Sequence, residues 1–258
     1  MLRVASTGTP PKNVFIGGGG ELATAREVLR HKSVERVVMV DLDEKIIEVS
    51  KQYLPEWGGE KVASDPRLKI EIGDALDFLM ETKEKFDVII MDISDPIEAG
   101  PGVMLYTKEF YEHAMTKLTP HGVFVTQAGM AESVPMAEVK EVDPSCFAPI
   151  YNTLNAAFDC AIPYSCNIPS YGSDWGFIMA FQCGDNGQGK VLETASWKIP
   201  EPEQIDALLN QQIEGGVDAL RYYDGTTHLQ LFALTKPLRN YMARDSRIMT
   251  KENPIYMF

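Results

Sequence analysis

Features that mark specialised chemistry are scarce in this sequence. Four cysteines occur in 258 residues, Cys146, Cys160, Cys166 and Cys183, and no two form a C-x-x-C pair. That spacing suggests neither a zinc site nor a disulfide framework, and the four read as ordinary thiols. Histidine is equally sparse, and without H-x-x-x-H or H-x-x-E spacing a bound metal is not expected. His31 falls at a helix end, where a cation is favoured, His113 on a helix, and His121 in a turn. His228 reads as packed or capping. No apolar run approaches the ~20 residues that span a bilayer, and the first residues lack the succession of a signal peptide. A cytoplasmic protein with no membrane partner is expected. Positive charge is in short supply, with 24 Lys and Arg against 37 Asp and Glu and a net charge of −13. This argues against nucleic acid as a partner and suits the attraction of cations. Internal repeats and low-complexity tracts are absent.

What is present is an apolar fraction of 45%, enough for a full α/β core, laid out in regular alternation. Val14 to Ile16 reads as a buried strand, followed by glycines and a helix over Leu22 to Arg30. A strand from Arg36 to Val40 ends in Asp41, and Glu44 to Tyr53 follows at helical spacing. Leu68 to Ile72 is the third strand, Ala75 to Glu81 a helix, and Phe86 to Met91 a fourth strand ending at Asp92. Crossover helices of this kind return the chain to the same edge and predict parallel strands. Helix Thr107 to Leu118 and strand Gly122 to Thr126 come next. Beyond them lie a helix near Pro149 to Phe158 and two strands, Asp159 to Ser165 and Gly176 to Gln182, read as an antiparallel pair. Helices at Glu203 to Gln211 and Leu229 to Met242 complete the expectation. The fold class is a Rossmann-like, methyltransferase-type doubly wound sheet, mostly parallel, with an antiparallel C-terminal strand pair.

The first β-to-α turn, Gly18-Gly19-Gly20-Glu21-Leu22-Ala23, matches G-x-G-x-x-A, which taken alone indicates a dinucleotide. Glycines also serve tight turns whatever they bind. Glu21 changes the balance, because a carboxylate beside the helix N-terminus repels a pyrophosphate and attracts a sulfonium cation. Its alternative is a solvent-facing or helix-capping acid. Asp41 ends the second strand, where open α/β sheets bind ligands and a carboxylate can accept both ribose hydroxyls. Asp43 reads as the cap of the next helix. Asp74, in Gly73-Asp74-Ala75, can accept from an adenine amino group or cap its own helix.

Asp92 and Asp95 stand three residues apart beyond the fourth strand. Asp95 precedes Pro96 and can be a plain turn residue. Asp92 closes an apolar strand, where a half-buried carboxylate needs a reason. For an amine substrate, protonated at neutral pH, Asp92 is the candidate base, while Glu21 and Asp95 would hold ammonium groups. A neutral thioether leaving group requires neither general acid nor metal.

Together these motifs resemble the spermidine synthase family over about Asn13 to Met242. Within it the chain is most similar to the thermospermine synthases, through Asp95-Pro96-Ile97-Glu98-Ala99-Gly100-Pro101, Leu105-Tyr106-Thr107-Lys108-Glu109-Phe110-Tyr111, Val123-Phe124-Val125-Thr126-Gln127-Ala128-Gly129 and Pro169-Ser170-Tyr171 with Trp175-Gly176. Spermidine synthases usually carry D-G-G after the three glycines, where this chain has Glu21-Leu22-Ala23. The resemblance implies transfer of an aminopropyl group from decarboxylated S-adenosylmethionine, a cosubstrate with no further cofactor, to a polyamine. It implies Asp92 as the base, Asp41 at the ribose, Asp74 at the adenine, Ala75 and the glycines around the nucleotide, and Glu21 and Asp95 toward the amines. Tyr171 would line the acceptor channel, and Asp95 to Leu105 would form a flexible gate.

The family carries a small β-rich domain before the Rossmann part. Residues 1–12 are therefore expected to be a tail, residues 13–258 the aminopropyltransferase domain, and the N-terminal domain missing. A homodimer or homotetramer is implied where that domain is present. Within the family a spermidine or spermine synthase is the alternative, and three readings outside that activity stay open. A methyltransferase shares the sheet, but its cosubstrate keeps a carboxylate that this acidic rim would repel. A non-catalytic nucleotide-binding relative is the second. An NAD-dependent oxidoreductase is disfavoured by Glu21 and by the lack of a Tyr-x-x-x-Lys pair.

Overall fold

The computed structural model describes residues 9–133, 145–182 and 199–257, so Cys183 lies outside the described residues. In chain order the first elements are β1 (Asn13–Gly18), α1 (Ala23–Leu29), β2 (Arg36–Asp41), α2 (Glu44–Tyr53), α3 (Gly59–Ala63), β3 (Leu68–Ile72), α4 (Ala75–Glu81) and β4 (Phe86–Asp92). They continue with α5 (Lys108–Thr116), β5 (Leu118–Met130), α6 (Phe147–Ala157), β6 (Cys160–Ile168), β7 (Ser173–Phe181), α7 (Pro202–Gln212), α8 (Gly225–Leu231) and α9 (Lys236–Met242). The chain divides into two units, Met1–Ile93 with Lys117–Phe124 and Pro200–His228, and Ser94–Thr116 with Val125–Ile199 and Leu229–Phe258.

The first unit has strand order β3-β2-β1-β4 followed by the start of β5. β1 pairs in parallel with both β2 and β4, and β2 with β3. Because the inner strands of such a sheet are buried on both faces, their residues form continuous apolar runs. Val14, Phe15, Ile16, Val37, Val38, Met39 and Ile89 are all fully buried. Phe15 stacks on Phe78 of α4 at 5.3 Å and tilts against Phe86 at 5.5 Å. Asp43 caps α2 as expected, its side chain accepting from Lys45 N. In α7, Glu201 and Gln204 form a reciprocal capping box, and Ile205, Leu209 and Ile213 pack with Val217, Leu220 and Tyr223.

In the second unit the strand order is β5-β7-β6. β6 and β7 pair antiparallel from Cys160↔Phe181 to Ile168↔Ser173, the expected hairpin with a tighter connection. The fold is the Rossmann-like, mostly parallel α/β sheet that the alternation predicts, with its antiparallel pair in place.

Several details depart from expectation. β5 begins at Leu118, not Gly122, because Pro120 and His121 are exposed strand residues rather than a turn. The single helix expected from Leu229 to Met242 is two helices. Thr235 caps α9 through its side chain to Leu238 N, and Pro237 cannot continue a preceding helix. His31 is no helix-end cation: it is buried, and burial pushes its imidazole down to about 3, so it is neutral. His228 is packed, with Nδ1 2.5 Å from the Tyr223 hydroxyl.

Candidate active site

In the first unit the ends of β1, β2 and β4 converge on the glycine turn. Gly18 pairs with Asp92 across the β1–β4 ladder, and the Gly19 N–H donates to the Asp92 carbonyl at 3.1 Å. Gly18 adopts φ +79°, and a Cβ there would stand 2.0 Å from that carbonyl oxygen. Its lack of a side chain is therefore dictated by the neighbouring strand, whatever the loop binds. Gly20 meets a second carboxylate: its N–H donates to Asp41 Oδ2 at 2.9 Å, and a Cβ would lie 2.8 Å from the same oxygen. Asp41 Oδ1 accepts from the Asp43 N–H at 2.9 Å. The carboxylate that ends β2 thus braces the glycine turn from below.

The chain turns into α1 through Leu22, a non-glycine residue at φ 73°, with its N–H bonded to the Gly19 carbonyl at 2.8 Å. The left-handed region costs an L-residue about 1–2 kcal/mol. Full burial of the leucine side chain offsets this by a comparable amount, about 2 kcal/mol. One residue before it, Glu21 is largely withdrawn from solvent beside Asp92. Burial, and then the negative charge of Asp92, push its carboxyl above the ordinary 4.5, opposed in part by backbone N–H groups of the same turn. Two neighbouring carboxylates in a desolvated turn favour a cation between them. The native chain holds the Glu21 proton more tightly than the unfolded chain, so this group's contribution to stability falls as pH rises through and above 4.5.

Asp74 and Ala75 stand at the end of β3. Asp74 caps α4, its Oδ1 accepting from Leu76 N at 2.7 Å, so the capping alternative is realised. Ala75 is buried, its Cβ 3.2 Å from where one would stand on Gly17.

The second unit gathers Asp95 and Tyr171 through a residue that sequence reasoning did not single out. Gln127, 8% exposed in β5, uses all of its amide. Its Nε2 donates to Asp95 Oδ1 at 3.0 Å and to the Tyr106 hydroxyl at 2.6 Å. Its Oε1 accepts from Gly129 N at 2.8 Å and from the Trp175 indole at 3.1 Å. Tyr106 in turn donates to the Ser94 carbonyl at 2.9 Å. Trp175 packs at 4.5 Å against Tyr171, which is 59% exposed. Burial raises the Asp95 carboxyl, and the Gln127 bond opposes the rise. The available signal was a polar amide near the carboxyl end of β5, just past the apolar run of Val123, Phe124 and Val125, at the edge where such sheets bind ligands.

A turn of glycines braced by a strand-end aspartate, with paired carboxylates beside it, belongs to a recognisable set of proteins. The sequence matches the spermine/spermidine synthase domain over residues 3–187. The chain belongs to the spermine/spermidine synthase family. Two relatives in the family are polyamine aminopropyltransferases. That of Synechococcus sp. (strain JA-2-3B'a(2-13)) is 39% identical over 98% of this chain and 75% of its own length. That of Saccharolobus solfataricus is 39% identical over 96% and 74%. Among solved structures, a spermidine synthase in complex with the transition-state analogue AdoDATO superposes with TM-score 0.69 at 27% identity, covering 90% of this chain and 70% of its own. The spermidine synthase of Thermotoga maritima gives 0.65 at 25% identity, with coverage of 90% and 68%. With the family comes polyamine aminopropyltransferase activity. Among the described residues, no helix is long and apolar enough to cross a membrane.

Proposed function

We propose that the chain transfers the aminopropyl group of decarboxylated S-adenosylmethionine to spermidine, forming thermospermine and methylthioadenosine. The observation that supports this reading is the pairing of Glu21 with Asp92 on the glycine turn, since two adjoining carboxylates attract a sulfonium carrying an aminopropyl ammonium. The same pair would repel the carboxylate of intact S-adenosylmethionine, which argues for the decarboxylated donor. Asp41 has acceptor capacity left for the ribose hydroxyls, and Asp74 retains one oxygen for the adenine amino group. Gly18, Gly19, Gly20 and Ala75 would border the nucleoside through their backbone, since the space at their Cα positions is taken by neighbouring protein atoms.

In the reaction the acceptor ammonium gives a proton to Asp92. The freed nitrogen lone pair attacks the methylene carbon bonded to sulfur, a C–N bond forms, and the C–S bond breaks with its electron pair moving to sulfur. The leaving thioether is neutral, so the step asks for neither metal nor prosthetic group. Asp95, oriented by Gln127, and the aromatic faces of Trp175 and Tyr171 would bind the acceptor's ammonium groups. The preference for thermospermine rests on Glu21-Leu22-Ala23, where spermidine synthases usually have D-G-G, and on the motifs from Asp95 to Trp175.

The test is incubation with the decarboxylated donor and either putrescine or spermidine, with chromatographic separation of spermidine, spermine and thermospermine. Thermospermine as main product supports the reading, spermidine would make putrescine the acceptor, and spermine would mean that spermidine reacts at its other primary amine. In a second measurement, donor affinity should tighten as pH rises through the Glu21 titration, because the cation prefers the ionised carboxylate. Glu21→Gln should bind the donor about tenfold or more weakly, with that pH dependence lost. Neutral methylthioadenosine should bind both proteins alike in calorimetry.

A further inference from the structure

The reading of Asp92 as base leaves a question of aim, since a carboxylate has two oxygens and a free rotor, and only one orientation serves an amine. The Thr24 hydroxyl donates to Asp92 Oδ2 at 2.6 Å. We propose that Thr24 is the positioning residue of Asp92: by occupying Oδ2 it holds the carboxylate in one rotamer and leaves Oδ1 to receive the acceptor's proton. This rests on the assignment of Asp92 under the proposed function.

The surrounding backbone supports the role. Thr24 lies in the first turn of α1, two residues past the buried left-handed Leu22, which reverses the chain after Gly19. The same short segment therefore holds Asp92 twice, from the Gly19 N–H to its backbone carbonyl and from the Thr24 hydroxyl to its side chain. The first turn is itself fastened, since Arg26 Nη1 donates to the Glu56 carbonyl at 2.7 Å and the Arg26 N–H to the Leu22 carbonyl at 2.9 Å. A neutral donor suits a base: a lysine ammonium in the same place would stabilise the ionised carboxylate and weaken Asp92 as a proton acceptor. The bond is not the cap of α1, whose N-cap residue is Leu22 and carries no side-chain cap hydrogen bond.

Thr24→Val keeps the shape and removes the hydroxyl, and Thr24→Ser keeps the hydroxyl and removes the methyl. Thr24→Val should lower kcat about 10- to 100-fold, the effect expected of a misaimed catalytic group, with donor KM and methylthioadenosine affinity changed less than about threefold. Thr24→Ser should stay within about threefold of wild type. In an Asp92→Asn background Thr24→Val should cost nothing further. A crystal structure of Thr24→Val should show the Asp92 carboxylate in more than one rotamer, a readout that does not depend on turnover. Wild-type kcat in Thr24→Val, equal loss in the serine variant, or an unmoved single rotamer would each overturn the proposal. Unchanged turnover in Asp92→Asn would instead remove the base assignment itself.

Discussion

Asp92→Asn is expected to lower kcat by about 10²- to 10⁴-fold, the usual worth of a positioned general base. The asparagine keeps the shape of the side chain and an oxygen that can accept from the Thr24 hydroxyl, so the turn around it should stand. Neutral methylthioadenosine should bind with less than about threefold change, because it makes no demand on the charge of the site. The cationic donor should bind somewhat more weakly, as one of the two carboxylates facing it is neutralised. Rapid-quench turnover and calorimetric affinities measured on the same preparation separate these effects. A variant that turns over near the wild-type rate would show that proximity alone drives the transfer and that another group accepts the proton.

Gly18→Ala is expected to destabilise the fold by about 2–5 kcal/mol, or to prevent folding. The left-handed backbone costs an alanine about 1–2 kcal/mol. Crowding of its methyl into the Asp92 carbonyl, 2.0 Å away, adds a steric cost of similar size, about 1–3 kcal/mol. Gly73→Ala supplies the contrast. A Cβ at Gly73 meets nothing within 4 Å, and the change should stay within about 1 kcal/mol or stabilise slightly. Urea unfolding of both variants at one pH tests the pair. Equal stabilities would mean that the β1–β4 approach at Gly18 is looser than the hydrogen-bond ladder indicates. The consequence for function is that loss of activity in Gly18→Ala would report on the fold before it reported on nucleotide binding.

The parallel layers of the first unit were legible because each inner strand is an unbroken apolar run and each helix repeats at its own period. Helices α2 and α4 and strand β3 have the boundaries their periodicity predicts. The misread stretches are those in which local chemistry and tertiary context disagree. Pro120 and His121 look like a turn yet continue β5, where the Thr119 hydroxyl is held by Asp87 Oδ1 at 2.9 Å. Leu229 to Met242 has a continuous helical pattern, but Thr235 and Pro237 start a new helix. His31 illustrates the same point for charge, since its position at a helix end favours a cation and its burial forbids one.

The sequence by itself determined the alternation of the sheet, the family, and where the acids of the proposed site stand along the chain, because strand-end carboxylates and a glycine turn are spaced by the chain and need no folding to be recognised. Only the tertiary structure decided which atoms meet. That Gly18 serves the neighbouring strand, that Gln127 joins Asp95 to Trp175, and that Thr24 reaches Asp92 across 68 residues depend on register and side-chain direction. Those are consequences of packing over distances in sequence that no local pattern encodes.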